Sequence, residues 1–184
     1  RLRHAQSLAN VERKYQGQSY DTLLSPLGLQ QAQILADFLR SQSIRRVVAS
    51  PLTRARQTAK IIPNAFHLSV EDEPLFIETN HGRWEGQKFT DLETSDSDLC
   101  GEAFADTTAR VLSWWQSAQF WTSDSVVVTH DNIIQVLLTH LHNLPLDRIR
   151  DFRIRNTAVT TIELTQPPAI HNIGDISHLA DYSV

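Results

Sequence analysis

Arg46-Val47-Val48-Ala49 runs directly into Ser50-Pro51-Leu52-Thr53-Arg54-Ala55-Arg56-Gln57-Thr58-Ala59, and the reading of this junction decides the fold. After Arg46 the residues Val47, Val48 and Ala49 are β-branched or small, the pattern of a short buried strand. Ser50 can cap a helix, and Pro51 suits a first turn, where the missing N–H would have no partner anyway. The spacing therefore predicts a helix from Pro51 to about Ile62. The same junction recurs downstream, where Ser125-Val126-Val127-Val128-Thr129 reads as a buried strand. Asp131 or Asn132 can then cap a helix carrying Ile133, Ile134, Leu137, Leu138 and Leu141. Upstream, Leu27, Ala32, Ile34, Leu35, Phe38 and Leu39 recur at helical spacing, predicting a helix from about Ser25 to Gln42. Phe104, Thr108, Val111, Leu112 and Trp115 mark another, ending near Ser117, and residues 158–164 read as a further strand. The segment from Glu71 to Gly101 is rich in acids and turn residues and is expected to be a loop-rich excursion over one sheet edge. From Gln166 onward the signals are weak, fitting a short terminal strand or a loose tail. Strands alternating with amphipathic helices predict an α/β domain, a three-layer α/β/α sandwich around a mainly parallel sheet.

The 184 residues, 41% of them hydrophobic, suffice for one substantial core, so a single domain over 1–184 is expected. Seventeen Lys+Arg against 21 Asp+Glu give a formal charge of −4 with no long basic run, which argues against nucleic acid or an anionic membrane as partner. The lone cysteine, Cys100, can form no internal disulfide, and no Cys/His cluster has zinc-finger spacing. No apolar run nears the roughly 20 residues that span a bilayer, and no signal peptide is visible. These features together predict a cytoplasmic protein; the pattern specifies no oligomeric state.

Three polar side chains occupy equivalent positions: His4 after the first strand remnant, Arg54 in the helical turn after Val47-Val48-Ala49, and His130 directly after Val126-Val127-Val128. Parallel strands place such positions together, in the crevice beyond their carboxyl ends where open α/β sheets bind ligands. Arg3 adds a second guanidinium beside His4, and the helix starts near Pro51 and Asp131 offer backbone N–H groups. Two arginines and two histidines so placed suit a dianion, of which phosphate is the commonest, and no dedicated metal cage accompanies them. A neutral imidazole can attack phosphorus while guanidinium groups hold the equatorial oxygens. Glu78, in Ile77-Glu78-Thr79-Asn80-His81-Gly82, is the best placed donor for the leaving oxygen if that loop folds over the crevice.

Arg3-His4-Ala5-Gln6-Ser7 with Asn10 resembles the Arg-His-Gly signature of the histidine phosphatase superfamily, which includes the cofactor-dependent phosphoglycerate mutases. Further blocks agree in order: Gln16-Gly17 with Asp21 and Leu27-Gly28; Ser50 to Ala59; Glu78 with Gly82 and Trp84-Glu85-Gly86; Val127-Val128-Thr129-His130; and Asn156-Thr157-Ala158-Val159. The resemblance implies a phosphoglycerate mutase-like fold, with His4 as the phosphorylated nucleophile and Arg3, Arg54 and His130 on the phosphate. It also implies pocket positions for Asn10 and Gln16, and it casts Glu78 as the group that protonates the leaving alcohol and later takes a proton from water. No metal and no cofactor are implied, and the partner would be a small phosphomonoester. Ala5 stands where the family usually has glycine, Gln6 replaces a common glutamate, and His81 replaces an aromatic residue before Gly82. Asp131 stands for the usual glycine after the second histidine, and is expected to point away as a helix cap.

Several side chains invite a different reading. His140 and His142 could pair with His130 on a metal, but they fall on a helix that already carries a core stripe. Arg56 is expected to face solvent or an ion pair. Trp84, Trp114, Trp115 and Trp121 suit core or pocket walls. Cys100 lacks the flanking cation or base that would activate a thiol. A mutase would share the chemistry, yet the resemblance implies a longer insertion than the stretch from Glu78 to His130 provides. A silent phosphate-binding or protein-interaction module would be expected to have lost His4, Glu78 or an arginine.

Overall fold

The computed structural model describes residues 2–62, 68–90, 101–117 and 123–180. Its strands are β1 (Leu2–Arg3), β2 (Arg46–Ala49), β3 (Val70–Asp72), β4 (Ser125–Thr129), β5 (Val159–Glu163) and β6 (Ala169–Asp175). They form one sheet in the order β3-β2-β4-β1-β5-β6. The pairings β3·β2, β2·β4 and β4·β1 are parallel, whereas β1·β5 and β5·β6 are antiparallel. The helices are α1 (Leu8–Val11), α2 (Pro26–Leu39), α3 (Thr53–Ile61), α4 (Phe104–Gln116) and α5 (Asp131–Leu141).

The two-residue period of a strand sends alternate side chains to opposite faces, and both faces are covered. Val47, Ala49, Val126 and Val128 pack under Leu35, Ala36 and Leu39 of α2 and Ala55 and Ala59 of α3. Val48 and Val127 face the other way, onto Val111 and Trp114 of α4 and Ile133, Val136 and Leu137 of α5. The result is the expected three layers around a mainly parallel sheet. Each fully buried Val, Leu or Ile among them contributes about 1.5–3 kcal/mol by leaving water. No helix among the described residues is long and apolar enough to cross a membrane.

The structure corrects several local expectations. Ser50 does not cap α3: the helix starts at Thr53, its cap position is Leu52, and no side chain of its own caps it. The Asp21 carboxylate takes the Thr53 N–H from across the chain instead. The serine-proline start is realised at α2, where the Ser25 hydroxyl accepts from Gly28 N at 2.9 Å and Pro26 follows. A Cβ on Gly28 would lie 1.9 Å from the Gln6 carbonyl, so glycine lets α2 approach the signature loop. Neither Asp131 nor Asn132 caps α5, whose cap position is His130, so Asp131 is the first helical residue. The excursion begins with edge strand β3 and continues through 3-10 turns at Pro74–Phe76 and Gly82–Trp84. The weakly patterned tail contains β6, at seven residues the longest strand. Cys100 and Trp121 lie outside the described residues.

Candidate active site

The sheet register builds the centre of the site. β1 lies beside β4 with Leu2 opposite Val128 and Arg3 opposite Thr129, and His4 N donates to Thr129 O at 3.0 Å. His4 and His130 therefore leave neighbouring strands side by side, with ring centroids 5.2 Å apart. β2 ends level with β4, Ala49 opposite Val128, which delivers Arg54 in the first turn of α3. The four groups are deeply buried: His4 is 2%, Arg54 1%, His130 0% and Glu78 7% exposed.

His4 Nδ1 lies 2.7 Å from the Ala5 carbonyl, which can only accept, so Nδ1 carries the proton and Nε2 keeps its lone pair. Burial, then the charges of Arg54 and Arg3, push the imidazole pKa well below its ordinary value. At neutral pH His4 is thus an uncharged imidazole in a single tautomer, with the Nε2 lone pair free. His130 Nε2 is 2.6 Å from Ser50 Oγ, which itself accepts from Leu52 N at 3.4 Å. Where Ser50 donates this bond, the His130 proton resides on Nδ1. Burial and the Arg54 charge keep this ring neutral too.

Arg54 Nη1 donates to Asp21 Oδ1 at 2.8 Å and Nη2 to the Gly17 carbonyl at 3.0 Å. Arg3 Nη1 donates to the Ile154 carbonyl at 2.5 Å and to Asp131 Oδ2 at 3.3 Å. After these bonds Arg3 Nε, Arg54 Nε and His130 Nδ1 remain buried without a partner. An unpaired buried polar atom costs about 1–3 kcal/mol, so these, two of them guanidinium donors, suit a place that receives an acceptor-rich anion. Asp131 is not the cap expected of it. Its carboxylate pairs with Arg3 and accepts from Gln135 Nε2 at 3.1 Å, and burial raises its pKa.

Glu78 Oε1 accepts from Thr79 N at 2.9 Å. Burial raises its pKa to about 7; the Thr79 N–H and the Arg54 charge oppose the rise, and Asp131 adds to it. This carboxyl shares protonated and ionised forms at neutral pH, as a group that gives and takes a proton must.

Asn10 and Gln16 brace the loop after His4. Ser7 caps α1 in a reciprocal capping box with Asn10, whose Oδ1 also accepts from Asn156 Nδ2 at 3.2 Å. Asn156 in turn donates to the His4 carbonyl at 3.0 Å. Gln16 Oε1 accepts from Ser7 Oγ at 2.9 Å. Both side chains use their carbonyl oxygens for bracing.

Sequence reasoning passed over two residues. Ser50, taken as a cap, is the hydrogen-bond partner of His130 Nε2. Glu85 accepts from Gln18 N, Ser19 N, Tyr20 N and His81 N at 3.0, 2.6, 3.1 and 2.9 Å, and from the Ser19 hydroxyl. Burial works to raise its pKa, but these bonds outweigh it and hold the carboxylate at about 2. Glu85 thereby ties the loop carrying Glu78 to the loop whose Gly17 carbonyl holds Arg54. A Cβ on Gly17 would sit 1.9 Å from Glu85 Oε1, and the adjacency of Trp84-Glu85-Gly86 to Glu78 was the only sequence signal. Arg56 pairs with Asp72 at the surface, Trp114 is core, and Trp84 stacks obliquely on Tyr15. Among the described residues no three His, Cys, Asp or Glu side chains gather in metal-binding geometry, and His140 and His142 are exposed at the end of α5.

A model of the histidine phosphatase superfamily (branch 1) matches residues 2–169. The chain belongs to the histidine phosphatase superfamily. The implied fold and enzyme class are thereby borne out. Within the superfamily the chain is 29% identical to "Probable phosphoglycerate mutase GpmB" of Erwinia tasmaniensis, covering 98% of this chain and 94% of that one. The solved structure of Bacillus stearothermophilus YhfR superposes with a TM-score of 0.88 at 26% identity, covering 97% of this chain and 96% of the other. The α-ribazole phosphatase of Shigella flexneri superposes at 0.84 with 26% identity, over 95% and 94% of the two chains. A phosphoserine phosphatase variant from Entamoeba histolytica, solved with phosphoserine, also reaches 0.84, at 25% identity over 97% and 96%.

Proposed function

We propose that this superfamily member hydrolyses small phosphomonoesters in two steps through phospho-His4, without a metal or cofactor. The observation that carries the reading is the neutral, single-tautomer His4 imidazole, set among unpaired buried donors beside a carboxyl that titrates near 7.

In the first step His4 Nε2 forms a bond to phosphorus as the ester P–O bond breaks. Arg3, Arg54 and His130 hold the equatorial oxygens, with Asn10 and Gln16 donating from the loop, and Glu78 gives its proton to the departing alkoxide. In the second step the Glu78 carboxylate takes a proton from water as the water oxygen bonds to phosphorus. The P–N bond breaks, its electron pair returns to His4, and inorganic phosphate leaves. Both partners begin in the required state near neutrality: His4 is unprotonated because its pKa is lowered, and Glu78 is partly protonated because its pKa is raised. We read the working unit as one cytoplasmic domain spanning 1–184.

The test is hydrolysis of an aryl phosphate with EDTA present, by wild type and by His4→Ala. Turnover that survives EDTA and disappears with His4→Ala supports the reading. A folded wild type that hydrolyses no ester contradicts it. The likeness to GpmB makes a mutase the second reading, which phosphoglycerate with a bisphosphate primer would reveal as isomerisation without phosphate release.

A further inference from the structure

Three arginines that the phosphoryl site leaves unused, Arg150, Arg153 and Arg155, line a cleft of about 940 Å³ that also takes in Arg3, Asp131 and Asn156. All three are exposed, and none has an ion pair among the described residues. Arg40, Arg56 and Arg148, equally exposed, hold Asp37, Asp72 and Asp151. In a chain of formal charge −4, three neighbouring unmatched guanidinium groups beside a catalytic crevice concentrate positive potential where the fold otherwise neutralises it.

The segment that carries them is fixed to the site by its backbone. Gln135 Nε2 donates to the Phe152 carbonyl at 2.7 Å, Arg3 Nη1 to the Ile154 carbonyl, and Asn156 Nδ2 to the His4 carbonyl. Burial alternates along it, with Phe152 and Ile154 turned in and Arg153 and Arg155 turned out. Arg150 lies with its guanidinium 5.5 Å from the centre of the Phe104 ring, and its charge reaches both Asp131 and His81. It therefore lies at the start of α4, within electrostatic reach of the start of α5 and of His81 in the loop that carries Glu78, the group proposed to protonate the alcohol.

We infer that Arg150, with Arg153 and Arg155 behind it, binds a second anionic group on the alcohol part of the phosphomonoester, either a carboxylate or a further phosphate. This rests on the phosphatase reading and adds a substrate class to it. Guanidinium forks suit both oxyanions, and a charge-assisted bond of this kind is worth roughly a tenfold or larger change in affinity.

The experiment compares kcat/KM for 3-phosphoglycerate and glycerol 3-phosphate, which differ in the carboxylate, and for a hexose bisphosphate and its monophosphate, which differ in the second phosphate. Wild type should favour the doubly anionic member of at least one pair by about tenfold. Arg150→Ala and the double variant Arg153→Ala/Arg155→Ala should bring that ratio toward one through KM, with aryl phosphate turnover unchanged. The pair that responds names the oxyanion. Equal wild-type values in both pairs, or a ratio that survives the arginine variants, overturns the inference while aryl phosphate turnover leaves the phosphatase intact. Loss of aryl turnover in wild type would instead strike the phosphatase reading. If no natural ester is turned over, calorimetry on His4→Ala decides: equal or absent binding within both pairs also overturns the proposal.

Discussion

Two halves of the site are built by different means. The phosphate side, His4, Arg54 and His130, stands on the ends of β1, β2 and β4, and the sheet register itself sets its geometry. The acid side, Glu78 and its loop, does not stand on a strand end; it reaches the sheet through Phe76, which packs with Val48 and Val127 and whose carbonyl accepts from Thr129 Oγ1 at 3.0 Å. It is held by Glu85 against 18–20 and by Arg110, whose Nη1 donates to the Leu75 and Ile77 carbonyls at 2.7 and 2.8 Å. The first half should resist change outside its own functional groups, while the second should depend on distant hydrogen bonds. Rigid elements position and loops adapt, so in the proposed mechanism nucleophile chemistry would belong to the fold and leaving-group handling to the excursion.

The largest expected effect separates the two halves by chemistry. Glu78→Gln should lower kcat for an alkyl phosphate by about 10²–10⁴. In kcat/KM, which covers the steps through release of the alcohol, it should cost less on an aryl phosphate, whose leaving group needs no proton; the hydrolysis of phospho-His4 that follows needs Glu78 with either ester. In wild type, kcat/KM for the alkyl ester should fall as pH rises through about 7, because the Glu78 carboxyl, raised to that value by burial, loses the proton it must donate. A Glu78→Gln profile that still turns near 7 would assign the titration elsewhere. Next, His130→Ala should lower kcat by about 10²–10³ on both esters alike, as removal of a preorganised donor does; a leaving-group-dependent loss would blur the division.

Glu85→Gln should cost about tenfold in kcat on alkyl esters, since a neutral amide holds the backbone donors less firmly than a carboxylate. Steady-state kinetics on the two ester classes checks it, and an equal loss on both would mean that the loop positions Arg54 more than Glu78. The smallest effect is assigned to Arg56→Ala, one helical residue pair from Arg54 but exposed and paired with Asp72; kcat and thermal midpoint should both stay within error.

The same division explains what could be read from the sequence. The strand-to-helix junctions at Val47-Val48-Ala49 and Val126-Val127-Val128 were legible because burial on both sheet faces demands continuous β-branched runs, and the convergence of His4, Arg54 and His130 followed from parallel strands. Helix starts were read less well, because capping depends on tertiary partners. Asp21, 32 positions before Thr53, supplies the cap that Ser50 was expected to give, and frees Ser50 for His130. Glu85 was named only as part of a motif, since its donors at Gln18, Ser19 and Tyr20 are distant in sequence. β6 was ambiguous because its register with β5 is irregular and much of it is exposed, so no strict alternation marks it.

The most direct test of the account is to trap the covalent intermediate: rapid mixing of wild type with a phosphomonoester, an alkaline quench that preserves phosphoramidates, and peptide mass spectrometry. The account predicts a phosphoryl group on the peptide containing His4, on that histidine, and none in His4→Ala. Phosphoryl transfer to another residue, or turnover in a single step with His4 unmodified at every quench time, would contradict it.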